Sequence, residues 1–219
     1  MDESVIQVIV LAAIAVFLIL RLKSILGTRE GYEKPLIEDE PEIRRTNRSF
    51  EVIDGGPDHD IIDNLPEGSS ALAPLSAMKK IEPDFSVTKF LGGARGAYEM
   101  ILVAFDKGEM ARIKPFLAPE VFEAFDGVVS ARAADGLTVE SQFLGVSQLV
   151  LSEASFDPIS KDAEITVRFT AEMISAVRNA AGEVVDGDPK VHRKQRDAWT
   201  FARKMGAADP NWRLVATGD

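Results

Sequence analysis

The longest apolar run in the chain stands at its start. Residues 5–20 are apolar except for Gln7, and Leu22 carries the run past Arg21. At about 1.5 Å of rise per residue, residues 5–22 reach roughly 27 Å as a helix, close to the hydrocarbon thickness of a bilayer. A helix satisfies its own backbone in lipid, so residues 1–26 are expected to form a transmembrane anchor seated on Val5, Ile9, Leu11, Ile14, Phe17, Leu18 and Leu20. A cleaved signal peptide fits poorly, because Asp2 and Glu3 make the start acidic and no small-x-small cleavage site follows. Arg21, Lys23 and Arg29 follow the run, which predicts an N-terminus outside and the remainder inside. In a bacterium that places the rest of the chain in the cytoplasm, below the inner (cytoplasmic) membrane. In a mitochondrion it would be the matrix.

From residue 27 to residue 75 the periodicity is lost. Acids outnumber bases, and Pro35, Pro41, Pro57, Pro66 and Pro74 recur between Gly- and Ser-containing pairs. Short apolar pieces such as Ile61-Ile62 sustain neither a helical nor a strand period, so this segment is expected to be a disordered acidic spacer. Arg44, Arg45 and Arg48 with Phe50 are a candidate docking motif within it.

The pattern turns helical at Ser76. Met78, Ile81, Phe85, Phe90, Leu91, Ala94, Ala97, Ile101, Ala104 and Phe105 recur near a period of 3.6, broken at Pro83. Lys107-Gly108 predicts the end of a long helix. A short piece covers residues 109–116. Pro119-Glu120 starts a third helix, striped by Leu117, Val121, Phe122, Phe125, Val128 and Val129 and closed at Asp135-Gly136.

Beyond Gly136 the period becomes two. Residues 139–151 read as a strand with a bulge at Gly145. Ile165, Val167, Phe169, Ala171 and Met173 then alternate with polar residues, as in a half-buried antiparallel strand. Asp157-Pro158 and Asp186-Gly187 are the expected turns, and Val191, Trp199 and Phe201 share one face of the third strand. Trp212, Leu214 and Ala216 share a face of the last. Helices followed by consecutive strands predict an α+β domain over residues 76–219, with helices on one face of an antiparallel sheet.

Composition narrows the chemistry. The chain has no cysteine, which removes disulfides, thiolate catalysis and thiolate metal sites. Its formal net charge is −10, so nucleic acid is not an expected partner. Only His59 and His192 are present, the first in the spacer and the second on the solvent parity of its strand. No metal site, cofactor site or triad assembles from them, and Asp60 and Asp63 sit in the spacer. Gly92-Gly93-Ala94-Arg95-Gly96 has neither a phosphate-loop ending nor a preceding strand, and is read as close packing of helix on sheet. Binding is expected, and catalysis is not.

Residues 92–109, running from Gly92-Gly93-Ala94-Arg95-Gly96-Ala97-Tyr98-Glu99 to Asp106-Lys107-Gly108-Glu109, resemble the start of the bacterial TimA family, a relative of the Tim-forty-four subunit of the mitochondrial import motor. Trp199-Thr200-Phe201-Ala202-Arg203 and residues 209–218, beginning Asp209-Pro210-Asn211-Trp212, are similar to its C-terminal signature. The resemblance covers about residues 85–219. It implies a cone-shaped domain akin to nuclear-transport-factor-two-like folds, a curved sheet, and a role as a membrane-associated adaptor. The mitochondrial relative tethers a chaperone at the inner membrane and meets cardiolipin-rich lipid.

Two basic groups are candidate contacts for anionic phospholipid or a protein partner. Lys79, Lys80 and Lys89 accompany Phe85 and Phe90 at the domain entrance, as on an interfacial helix. Lys190, Arg193, Lys194 and Arg196 form the second, which is also what a guarded strand edge looks like. The first function expected is a membrane-tethered adaptor that binds a protein. The other is a lipid- or small-molecule-binding domain with an apolar pocket between helices and sheet.

Overall fold

The structure, a computed structural model, describes residues 58–218. Within them, helices come first: α1 (His59–Ile62), α2 (Leu72–Ile81), α3 (Val87–Lys107), α4 (Met110–Ile113), a 3-10 turn (Lys114–Phe116) and α5 (Pro119–Ala134). Strands β1 (Thr138–Phe156), β2 (Asp162–Arg178), β3 (Val184–Lys204) and β4 (Arg213–Gly218) follow as one antiparallel sheet in the order β1-β2-β3-β4. This is the expected α+β arrangement. The expected anchor at residues 1–26 and the docking motif of Arg44, Arg45, Arg48 and Phe50 lie outside the described residues. No described helix is long and apolar enough to cross a membrane.

The folded unit reaches further back than its sequence pattern. The expected boundary at residue 76 falls inside α2, and Ile61, Ala71 and Leu75 are core residues. Residues 58–75 therefore belong to the domain. The reason is a helix cap built across the chain. Asp60, on α1, accepts hydrogen bonds from the Val87 N–H at 2.7 Å, the Thr88 N–H at 3.0 Å and the Ser86 hydroxyl at 2.9 Å. These are free donors at the N-terminus of α3, where a carboxylate also meets the favourable end of the helix dipole. Ser86 caps the same end locally, accepting from the Lys89 N–H. At the other end Gly108 takes φ 73°, the left-handed conformation that closes a helix at little cost to glycine.

Helix α3 lays Phe90, Ala94, Tyr98, Ile101 and Ala104 onto the sheet. Opposite them stand Ile165, Val167, Phe169 and Ala171 of β2, all buried, with Trp199 and Phe201 of β3 beside them. The centre is aromatic: Tyr98 stacks on Phe169 with ring centroids 4.2 Å apart and meets Trp199 at 4.6 Å. Strand β4 is anchored to the helical layer by the Ala118 N–H, which donates to the Leu214 carbonyl at 2.8 Å.

Three expectations are corrected. The turn between β2 and β3 is made at Asn179, whose side-chain oxygen accepts from the N–H groups of Ala181 and Glu183, and not at Asp186-Gly187. Those two residues lie inside β3, where Gly187 has φ 77° and an added Cβ would collide with the Ser175 carbonyl. Val191 does not share the buried face of Trp199 and Phe201. The register passes from Met173↔Arg193 directly to Ser175↔Asp188, so residues 189–192 bulge out and Val191 is 49% exposed. The glycines of α3 are not a close-packing device either: a Cβ at Gly92, Gly93 or Gly96 would meet nothing within 4 Å. Of that run only Ala94 is buried.

Candidate binding site

The first half of α3, the last turn of β3 and the segment before β4 enclose a cavity of about 420 Å³. Its floor is aromatic. Trp212 meets Phe90 edge-on at 4.8 Å and Phe85 at 5.9 Å, while Phe90 meets Phe201 at 6.0 Å. Gly93, Ala94 and Ala97 form the wall on the helix side. The lack of side chains at Gly93 thus keeps the cavity open, which gives the glycine run a structural consequence.

One charged pair closes the rim. Arg203, 6% exposed, donates from Nη2 to both carboxylate oxygens of Glu82 at 2.8 Å. Its guanidinium lies over the Trp212 ring at 5.2 Å, and its Nε is buried without a hydrogen-bond partner. Glu82 also accepts from the Gly206 N–H at 3.1 Å. Burial works to raise the Glu82 carboxyl, but the Arg203 bond, the Gly206 N–H and the Arg203 charge together hold it below its ordinary range. Glu82 terminates α2 and Arg203 lies on β3, so the pair fastens helix to sheet beside the cavity.

The two expected basic groups are in different places. Phe85 and Phe90 are 6% and 7% exposed and belong to the cavity floor, so they do not form an outward apolar face with the lysines. Lys79 is tied to Asp58 and Asp60, each at 2.8 Å. Burial lowers its pKa, yet the two carboxylates raise it overall. Lys80 and Lys89 are exposed, Lys89 at the cavity mouth. Lys190, Arg193, Lys194 and Arg196 are exposed and lie earlier on β3, where the strand rise of about 3.4 Å per residue sets Arg193 roughly 27 Å from Phe201.

Asp197 escaped the sequence reading. It shares the inward parity of Trp199 and Phe201, and it accepts a hydrogen bond from the Tyr98 hydroxyl. The Gln195 amide also donates to it, at 3.3 Å. Parity alone, counted back from Trp199, would have found it. Burial first, and then the bond and charge of Asp197, push the Tyr98 hydroxyl well above its ordinary pKa. Among the described residues no group of three or more His, Asp or Glu side chains is placed to hold a metal.

An aromatic cavity with a charged rim, on an α+β scaffold, defines a domain equipped for binding. Residues 71–219 match the Tim44-like domain, and the chain belongs to that family. It is similar to the mitochondrial import inner membrane translocase subunit TIM44 of Homo sapiens, 23% identical over 71% of this chain and 35% of that protein. TIM44-1 of Arabidopsis thaliana is 23% identical over 84% of this chain and 40% of its own length. The chain thus spans little more than a third of the length of these relatives. The intermembrane space region of the chloroplast protein ARC6 superposes with a TM-score of 0.41 at 10% identity, over 58% of this chain and 94% of that one.

Proposed function

We propose that this protein is a membrane-associated adaptor whose Tim44-like domain binds a protein partner at the inner face of an inner membrane. The observation that carries this reading is the match of residues 71–219 to a domain whose relatives are named as inner-membrane translocase subunits. The apolar run at residues 5–22 supplies the tether in this proposal, with the domain on the side of Arg21 and Lys23. Lys89 is exposed at the cavity mouth and Lys80 is exposed on α2, both suited to anionic headgroups.

The test uses the full chain in its native membranes. Carbonate washing is expected to leave it in the pellet, a C-terminal tag is expected to resist protease added from outside, and crosslinking is expected to capture one reproducible protein. Release into the supernatant, or cleavage of the tag from outside, would refute the tethered adaptor.

The cavity favours a second reading, a domain that holds a lipid or another apolar small molecule between helices and sheet. Its size suits one acyl chain or a small ligand. Lipid is then expected to remain with the purified chain and to fall severalfold in Gly93→Leu, which fills the wall where an added Cβ meets open space. Equal lipid content in both proteins excludes this use of the cavity.

A further inference from the structure

Strand β3 is long, and β4 covers only part of it. The pairing of β3 with β4 runs from Ala198 to Ala202, so residues 184–197 have a strand neighbour on the β2 side alone among the described residues. Half the backbone N–H and C=O groups of that stretch point to an open edge, which is a template for another strand. The bulge at residues 189–192 interrupts the far part of the edge, leaving residues 193–197 in regular register with β2 and in line with β4.

Residues 193–196 carry a cation on each face, and Asp197 ends the stretch on the helix side, where it accepts from the Tyr98 hydroxyl. Met173 and Ala171 are inward residues of β2, so Arg193 and Gln195, their partners in register, point to the helix side, while Lys194 and Arg196 point to the opposite side. Neither Arg193, Lys194, Arg196 nor the nearby Lys190 takes part in any ion pair found among the described residues, in a chain of net charge −10. Lysines on an edge strand ordinarily repel other strands of like charge. They do not repel an acidic one, for which both parities would meet a cation.

We infer that the β3 edge at residues 193–197 is a docking site for an extended acidic peptide of a partner protein, which adds as a strand in line with β4. This rests on the adaptor reading and names the kind of partner segment the domain takes. Backbone hydrogen bonds supply the register, and Arg193, Lys194 and Arg196 select for acidic side chains on both faces.

The experiment titrates the detergent-solubilised 219-residue chain against a fluorescent heptapeptide of six glutamates around a central valine. A second peptide is N-methylated at adjacent central backbone nitrogens, which preserves charge but blocks an N–H donor on each edge. Saturable binding is expected for the parent, with the methylated peptide at least tenfold weaker, because alternate N–H groups serve opposite edges of a strand and adjacent methyl groups leave neither edge intact. The exposed double variant Arg193→Glu/Arg196→Glu is expected to bind the parent at least tenfold more weakly with an unchanged melting temperature. Equal binding of both peptides, no saturable binding, full affinity in the double variant, or displacement by phosphatidylglycerol or RNA at lower charge concentration each overturns the site. Failure here leaves carbonate resistance and partner capture untouched, so the two readings fail separately.

Discussion

Asp60→Ala is expected to lower the stability of the folded domain by about 3 kcal/mol, although the residue lies in a stretch with no helical or strand period. The alanine removes the acceptor for the Val87 and Thr88 N–H groups and for the Ser86 hydroxyl, and takes away one carboxylate partner of Lys79. Loss of a helix cap alone costs about 1 kcal/mol, and hydrogen bonds to a charged group are worth about 1.5–3 kcal/mol each without being additive. For a domain of this size that corresponds to a fall of roughly 6–12 °C in melting temperature. The effect depends on pH with a definite sign. Burial works to raise the Asp60 carboxyl, but the Lys79 bond and the Thr88 and Val87 N–H groups outweigh it and hold it far below its ordinary 3.8. Glu82 is lowered as well. A carboxyl depressed in the folded state contributes fully above its unfolded pKa, and the contribution is lost as pH falls. Melting temperature should therefore drop steeply below about pH 4 in the natural chain and more gently in Asp60→Asn. Melts at neutral pH that place Asp60→Ala within 1 °C of the parent would show that α1 is not bonded to α3 in this way.

Around Asp60 the fold is not legible in the sequence. The long elements were readable because each obeys one period over many residues: α3 from Phe90 to Ala104, and β2 through Ile165, Val167, Phe169, Ala171 and Met173. Gly108 and Pro119 punctuate them with residues whose backbone preferences are strong. Residues 58–75 were not readable, because their fold depends on single long-range contacts. Ile61 and Leu75 reach the core one at a time, and Asp60 finds donors 26 to 28 residues away. The turn at Asn179 was hidden behind the stronger Asp186-Gly187 signal, which the chain uses inside β3 instead. Asp197 was missed for a different reason. Its inward parity was visible, but an acid between Arg196 and Ala198 invites a solvent-facing reading, and the Tyr98 hydroxyl and the Gln195 amide that donate to it lie beyond what parity shows.

The cavity and the open edge share one origin in the length of β3. Near its end the strand lies under α3 and beside β4, where Phe201 and Arg203 join Phe90 and Trp212 around the cavity. Toward its start it runs beyond β4, and there Lys190, Arg193, Lys194 and Arg196 are exposed cations. A short β4 thus divides one strand into an apolar part that can enclose a ligand and a charged part that can accept a partner. Two binding activities can reside on such a domain without sharing a residue.

Between those two parts stands Tyr98, and Tyr98→Ala is expected to cost about 4 kcal/mol, the largest loss of any single truncation in the sheet-facing row of α3. The ring is fully buried, stacked on Phe169, tilted against Trp199 and edge-on to Phe143 at 6.1 Å. Removing it opens a hole bordered by three aromatic rings that cannot collapse without moving β2 against β3. Tyr98→Phe keeps the ring and deletes only the hydroxyl that donates to the Asp197 carboxylate, so it should cost about 2 kcal/mol. Alkaline titration separates the two contributions. The folded tyrosine holds its proton above its ordinary pKa of 10.0, so the unfolded state releases it first, and stability falls as pH rises past that value. Tyr98→Phe lacks that loss, and its stability relative to the natural chain should therefore improve between about pH 9 and pH 11. Urea midpoints for the three proteins across that range give the result directly: a Phe variant as damaged as the Ala variant, or one whose deficit stays constant with pH, would mean that the hydroxyl is not held by Asp197 in the folded protein.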